Sequence, residues 1–244
     1  LFRPLGITAS YNVALLPGEL IRDVATLYRR VDGRWVAQAD DYRGVKPRPL
    51  AQLENPDAQA EYEAKFGRPT LPQDLRAYEL GTNGTLFSPQ GGLRISVRGL
   101  VRLMQCLFRG GEGILRPESI QQMVREQWGY DPAEPNGDYY GGLMRSWGLS
   151  VQRFTHTREL RDDGRVLGDR LIASPRLVMR GHLGEAYGLL SGFFFDLEKK
   201  RGIVYAFSGT SPNLEAYPGS YSSFTRWEEQ ILTVLTADFT DFTM

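Results

Sequence analysis

The residues able to do chemistry in this 244-residue chain are few enough to take singly: two histidines, one cysteine, and lysine only at Lys46, Lys65, Lys199 and Lys200. His182 stands out by its setting, Gly181-His182-Leu183-Gly184-Glu185, at the end of an apolar segment. A histidine titrates near neutral pH and can donate or accept a hydrogen bond. A glycine two places on lets a ligand lie against the backbone. The apolar run Phe193-Phe194-Phe195 is suited to holding that edge rigidly. His156 lies in a polar stretch and reads as a surface residue. Cys106 sits inside a helical pattern and reads as a small packing residue. Being alone, it allows no internal disulfide and no cysteine metal cluster. No second histidine stands at helical spacing, so no zinc site is expected and no metal or cofactor is assigned. Gly91-Gly92 and Gly110-Gly111 lack the lysine and the strand-before-helix setting of a phosphate loop. The Gly-x-Ser-x-Gly elbow is missing. The pairs Asp40-Asp41 and Asp162-Asp163 read as solvated surface.

Composition narrows the function classes. The chain is 41% hydrophobic and 24% charged, with a formal net charge of zero. These values suit a soluble globular protein and give no nucleic-acid footprint. No apolar run approaches the ~20 residues of a membrane span. The start, Leu1-Phe2-Arg3-Pro4-Leu5-Gly6, has neither an initiator Met nor a signal-peptide pattern and reads as the start of a fragment.

The elements that would position His182 come in α+β order. Residues 1 to about 36 read as a turn and mixed extended segments, and 37 to 92 as a loop-rich stretch punctuated by prolines. Asn55, Pro56 and Gly67 mark one short helix within it. Ser96 caps a helix with Val97, Leu100, Val101, Met104, Leu107 and Phe108 on one face, ended by Gly110-Gly111. Pro117 opens another, with Ile120, Met123, Val124 and Trp128 inward. From Gly141 the period becomes two, predicting a strand through 143–154. Residues 158–170 read as a loop or hairpin end. Further strands are predicted at 177–182, 192–196 and 203–207, the last two joined as a hairpin. Ser223 or Thr225 caps a terminal helix with Phe224, Trp227, Ile231, Leu232 and Leu235 inward, and Thr225-Arg226-Trp227-Glu228 has capping-box spacing. The expected division is 1–135, helical and loop-rich, and 136–244, antiparallel strands with a covering helix.

Five segments, in order, carry a family resemblance: Leu1-Phe2-Arg3-Pro4-Leu5-Gly6-Ile7; Phe87-Ser88-Pro89-Gln90-Gly91-Gly92-Leu93; Leu115-Arg116-Pro117-Glu118-Ser119; Gly181-His182-Leu183-Gly184; and the Phe-rich strand followed by the terminal helix. Together they resemble the C-terminal part of the serine β-lactamase-like and penicillin-binding-protein-like hydrolases, whose third motif is Lys-Thr-Gly or His-x-Gly. The resemblance implies a fragment of the β-lactamase/transpeptidase-like α+β fold and acyl transfer through an acyl-enzyme on an ester, peptide or β-lactam. It implies that His182 hydrogen-bonds toward the general base or substrate, that Leu183 and Gly184 line the substrate, and that the Glu185 N–H is one of two oxyanion donors. It also suggests a periplasmic or secreted setting. The family's Ser-x-x-Lys and Tyr-x-Asn motifs have no counterpart here: no serine has lysine three places on, no tyrosine has asparagine two places on, and Ser211-Pro212-Asn213 follows the His-x-Gly. Three readings follow: one wall of a hydrolase, a non-catalytic scaffold or binding module, or a chain completed by an N-terminal chain or by self-association.

Overall fold

The computed structural model describes residues 1–47, 92–186, 188–210 and 216–239. Helices and antiparallel sheets occur together, an α+β composition. The helix expected from Asn55, Pro56 and Gly67 lies outside the described residues, as does Ser211-Pro212-Asn213. The chain divides into two compact units, Leu1–Gly99 with Ala186–Gly188, and Leu100–Glu185 with Leu189–Met244.

In the first unit, β1 (Ala9–Ser10) pairs antiparallel with β4 (Arg94–Ile95). Short 3₁₀ turns place Val13, Leu16 and Ile21 in a small core against Val24 and Tyr42. Asp40 is not the solvated residue expected. It takes a two-pronged ion pair from Arg94, both oxygens at 2.8 Å, with its side chain 11% exposed. Its partner is 54 residues away, so no local pattern announces it. Burial, with Asp40 alongside, pushes the Tyr42 hydroxyl up to about 12. A hairpin, β2 (Leu27–Val31) with β3 (Arg34–Ala39), turns at Asp32-Gly33, both with positive φ. Such a turn matches the twist of the strands it joins.

The second unit is built on a six-stranded sheet in the order β12 (Arg201–Ser208), β11 (Leu189–Asp196), β10 (Arg180–Ala186), β7 (Gln152–Arg153), β6 (Ser146–Trp147), β5 (Trp128–Gly129). The expected hairpin occurs, β11 pairing antiparallel with β12 from Leu189↔Ser208 to Asp196↔Arg201, and β10 lies beside β11. A further hairpin, β8 (Glu159–Leu160) with β9 (Val166–Leu167), fills the charged stretch expected as a loop or hairpin end. The single strand expected over 143–154 is instead the β6–β7 hairpin. Gly148 N–H donates to the Val151 carbonyl at 2.7 Å, and Ser150 adopts φ 57°. A side chain at Gly148 would collide with the Met123 carbonyl, so glycine is required there. The strand predicted to end at His182 starts later, at Arg180, and continues to Ala186, which puts His182 in mid-strand.

The helices follow their caps. Helix α1 (Val97–Phe108) receives the expected bond, Gly99 N–H to Ser96 Oγ at 3.1 Å, and ends at Gly110 and Gly111 with positive φ. Helix α2 (Pro117–Val124) buries Ile120 but stops before Trp128, which belongs to β5 and lies opposite Trp147. Met104, Val151 and Phe195 form one core cluster, with Cys106 also buried as expected. The larger cluster holds Phe154, Leu171, Leu177, Met179, Phe194, Ile203 and Tyr205, joined by Phe224 and Leu232 from helix α3 (Arg226–Leu235) and its lead-in. Thr225 caps α3 with a complete capping box through Glu228. Leu235, expected inward, is 45% exposed. Glu228 and Glu229 take the buried side, because donors from other elements meet them there: Tyr205 Oη reaches Glu228 at 3.0 Å, while Ser220 N–H, Tyr221 N–H and Ser222 Oγ reach Glu229.

Candidate functional site

Strand β10 lies between β11 and β7, but β7 pairs with it only at Arg180 and Gly181. From His182 onward the β7 side of β10 has no strand beside it among the described residues. Gly181 allows the close approach that precedes this opening: a side chain there would overlap the Phe193 carbonyl on β11. Strand alternation sorts the four expected residues onto two faces. His182 and Gly184 share one. Leu183 and Glu185 share the other, where the Leu183 side chain packs against the main core and the Glu185 carboxylate lies close enough to add to burial in raising Glu228. Leu183 therefore offers an edge ligand its backbone and not its side chain.

His182 is solvent-exposed and held from two sides. Its Nε2 donates to the Ser150 carbonyl in the β6–β7 turn, and the Trp147 ring meets it edge-on, centroids 5.5 Å apart at 64°. A carbonyl can only accept, so Nε2 carries the hydrogen, and Nδ1 is the ring nitrogen left for a ligand. Sequence reasoning missed both supports, which lie 32 and 35 positions away in the chain and are reached only through the pairing of β6, β7 and β10. It also missed Ser191 on β11, whose Oγ lies 3.5 Å from the Gly184 carbonyl and occupies the space that a Gly184 side chain would need. The face thus carries an imidazole, a hydroxyl and an indole beside that strand edge.

His156 is not the surface residue expected. Its Nδ1 accepts the Leu177 N–H at 3.3 Å, and burial, with Arg170 and Arg176 nearby, lowers its pKa from the usual histidine value. The folded state disfavours its charged form. Below the ordinary histidine pKa, about 6.5, the unfolded chain binds a proton that the native chain refuses, so this residue's contribution to stability is lost as pH falls. His156→Gln should flatten the decline of melting temperature between about pH 7 and 5. An unchanged slope would assign the acid sensitivity elsewhere.

Asp162 and Asp163 are exposed as expected, Asp163 pairing with Arg165 at 2.7 Å. Among the described residues no group of three or more His, Cys, Asp or Glu could hold a metal ion, and no helix is long and apolar enough to cross a membrane. An open groove of about 480 Å³, lined by Phe207, Ser208, Gly209, Thr210, Trp227, Gln230 and Ile231, contains none of the site residues expected from the sequence. No family model matches the chain, and no curated protein matches it.

Proposed function

We propose that this chain supplies the His-x-Gly wall of a serine-hydrolase cleft of the β-lactamase-like kind, acting on an ester, amide or β-lactam small molecule. The observation that carries the reading is the edge of β10 that, among the described residues, has no strand beside it from His182 onward. An edge N–H can receive a substrate oxyanion only where no strand occupies it. His182, fixed by Ser150, would turn its Nδ1 toward a substrate or general base, and Ser191 would add a hydroxyl on the same face. The Glu185 N–H would be one oxyanion donor, a kind of contact worth about 3 kcal/mol of barrier. The nucleophile would come from another segment or another chain, because no Ser-x-x-Lys occurs here. That same absence favours a second reading, a non-catalytic binding module that keeps the wall alone.

Both readings place the ligand on the same edge, so binding is the primary test. Titration with a cephalosporin and with a short-chain ester, followed by amide NMR, should shift the signals of His182 to Glu185 before any others. Shifts confined to other strands would remove the site. The chain by itself is expected to form no covalent serine adduct with a fluorophosphonate. A stoichiometric adduct would show a nucleophile in this chain and overturn the view that it comes from elsewhere.

A further inference from the structure

The β2–β3 hairpin breaks the rule by which a hairpin hides one face. All residues from Tyr28 to Val36 are exposed. The register places Tyr28 opposite Ala37 and Arg30 opposite Trp35 on one face, and Arg29 opposite Val36 and Val31 opposite Arg34 on the other. Each face therefore combines exposed apolar surface with arginine. Trp35 is 52% exposed, and Tyr28, Val31 and Val36 are each exposed by two-fifths or slightly more. Arg29, Arg30 and Arg34 have no carboxylate partner among the described residues, in contrast to Arg43 and Arg94, which hold Asp41 and Asp40. The segment contains three arginines and one aspartate, Asp32, a net charge of +2.

A two-stranded hairpin is at best marginally stable by itself in water, and large exposed apolar groups on both of its faces are a cost that a partner can remove. We propose that the Tyr28–Val36 hairpin is an interfacial anchor that inserts into the headgroup layer of an anionic lipid surface. The two-sided pattern favours lipid. A folded protein partner would cover one face and leave the other's valines or indole in water, whereas a headgroup layer surrounds an inserted tip. Amphipathic Trp and Tyr rings settle at the membrane–water interface. The arginines, interleaved with these rings along the register and with Arg34 nearest the turn, reach lipid phosphates in the same layer, each worth about a fivefold gain in partitioning near an anionic surface. A nucleic acid is disfavoured, since it calls for a broad basic surface and gains nothing from Val31 and Val36. The anchor does not depend on the β10 edge or on its proposed chemistry.

The test uses the whole chain and sedimentation with vesicles of phosphatidylcholine containing phosphatidylserine, compared with phosphatidylcholine alone. Binding to the anionic vesicles is expected, with a blue shift of tryptophan emission and quenching by bromine-labelled lipid. Arg29→Glu/Arg34→Glu should weaken binding by more than about tenfold. Trp35→Ala should remove the quenching, although Trp128, Trp147 and Trp227 remain. Arg98→Glu/Arg125→Glu changes exposed arginines outside the hairpin by the same total charge and should bind nearly as the parent does. Circular dichroism of each variant checks that the fold persists. The proposal is overturned by failure to bind anionic vesicles, by equal weakening in both charge-reversed variants, or by quenching that survives Trp35→Ala. Retention on immobilised polyglutamate without vesicle binding would likewise overturn it in favour of an acidic protein partner.

Discussion

A chain ending at Gly219 should show no cooperative unfolding of the second unit. The cut removes Phe224 and Leu232, which are 2% and 0% exposed and sit in the main cluster with Phe154, Phe194 and Tyr205. Burial of each is worth about 1.5–3 kcal/mol. Loss of the helix also strips polar partners from what remains: the buried Tyr205 hydroxyl, its pKa pushed far up by that burial, would lose Glu228. An unmatched buried hydroxyl adds about 1–3 kcal/mol. Against a whole-domain stability of about 5–15 kcal/mol, these losses leave little margin. Thermal unfolding of the truncated and full chains, followed by near-ultraviolet circular dichroism, measures the difference. A truncated chain that melts at the parent temperature would show that α3 is not docked on the sheet.

That helix also shows where reading the sequence succeeds and where it stops. Its start was legible because a capping box is a local device: Thr225 and Glu228 satisfy each other's backbone within one turn. Ser96 at the start of α1 and the Leu197-to-Gly202 link between β11 and β12 were legible for the same reason. The inner face of α3 was not. Periodicity assigns carboxylates outward, and only the loop at Ser220–Ser222 and a tyrosine on β12 make buried Glu228 and Glu229 tolerable. The β6–β7 hairpin was lost because two-residue alternation runs straight through Gly148-Leu149-Ser150, while the turn depends on the left-handed Ser150 and on the closeness of the Met123 carbonyl to Gly148. The Asp32-Gly33 turn, by contrast, carries a standard hairpin signal and could have been read directly. For the candidate site, the sequence pointed to the His-x-Gly segment and, through the resemblance, to the Glu185 N–H. The imidazole's tautomer, its indole neighbour and Ser191 required the sheet order.

The sharpest discrimination within that strand is between its two glycines. Gly181→Ala should destabilise the chain by at least ~3 kcal/mol and displace His182, whereas Gly184→Ala should cost far less. The two differ in what a new methyl group would meet. At Gly181, φ is 157° and the methyl would fall within the Phe193 carbonyl of the neighbouring strand, with the Phe194 Cα 3.0 Å away. Those are main-chain atoms in the middle of the β11–β12 ladder, and Phe194 on the same strand is fully buried. Neither strand can shift without disturbing that core. At Gly184 the methyl would meet the Ser191 hydroxyl, the end of a side chain that can rotate, with Ser191 Cβ at an ordinary 3.8 Å. The strain there should vanish in Gly184→Ala/Ser191→Ala, which removes the hydroxyl. Denaturant unfolding of the three variants gives the stabilities, and the His182 ring signals report whether the bond to Ser150 survives. If Gly181→Ala proved as mild as Gly184→Ala, β10 would not be clamped against β11 at this point. The fixed presentation of His182 at the open edge would then need another cause.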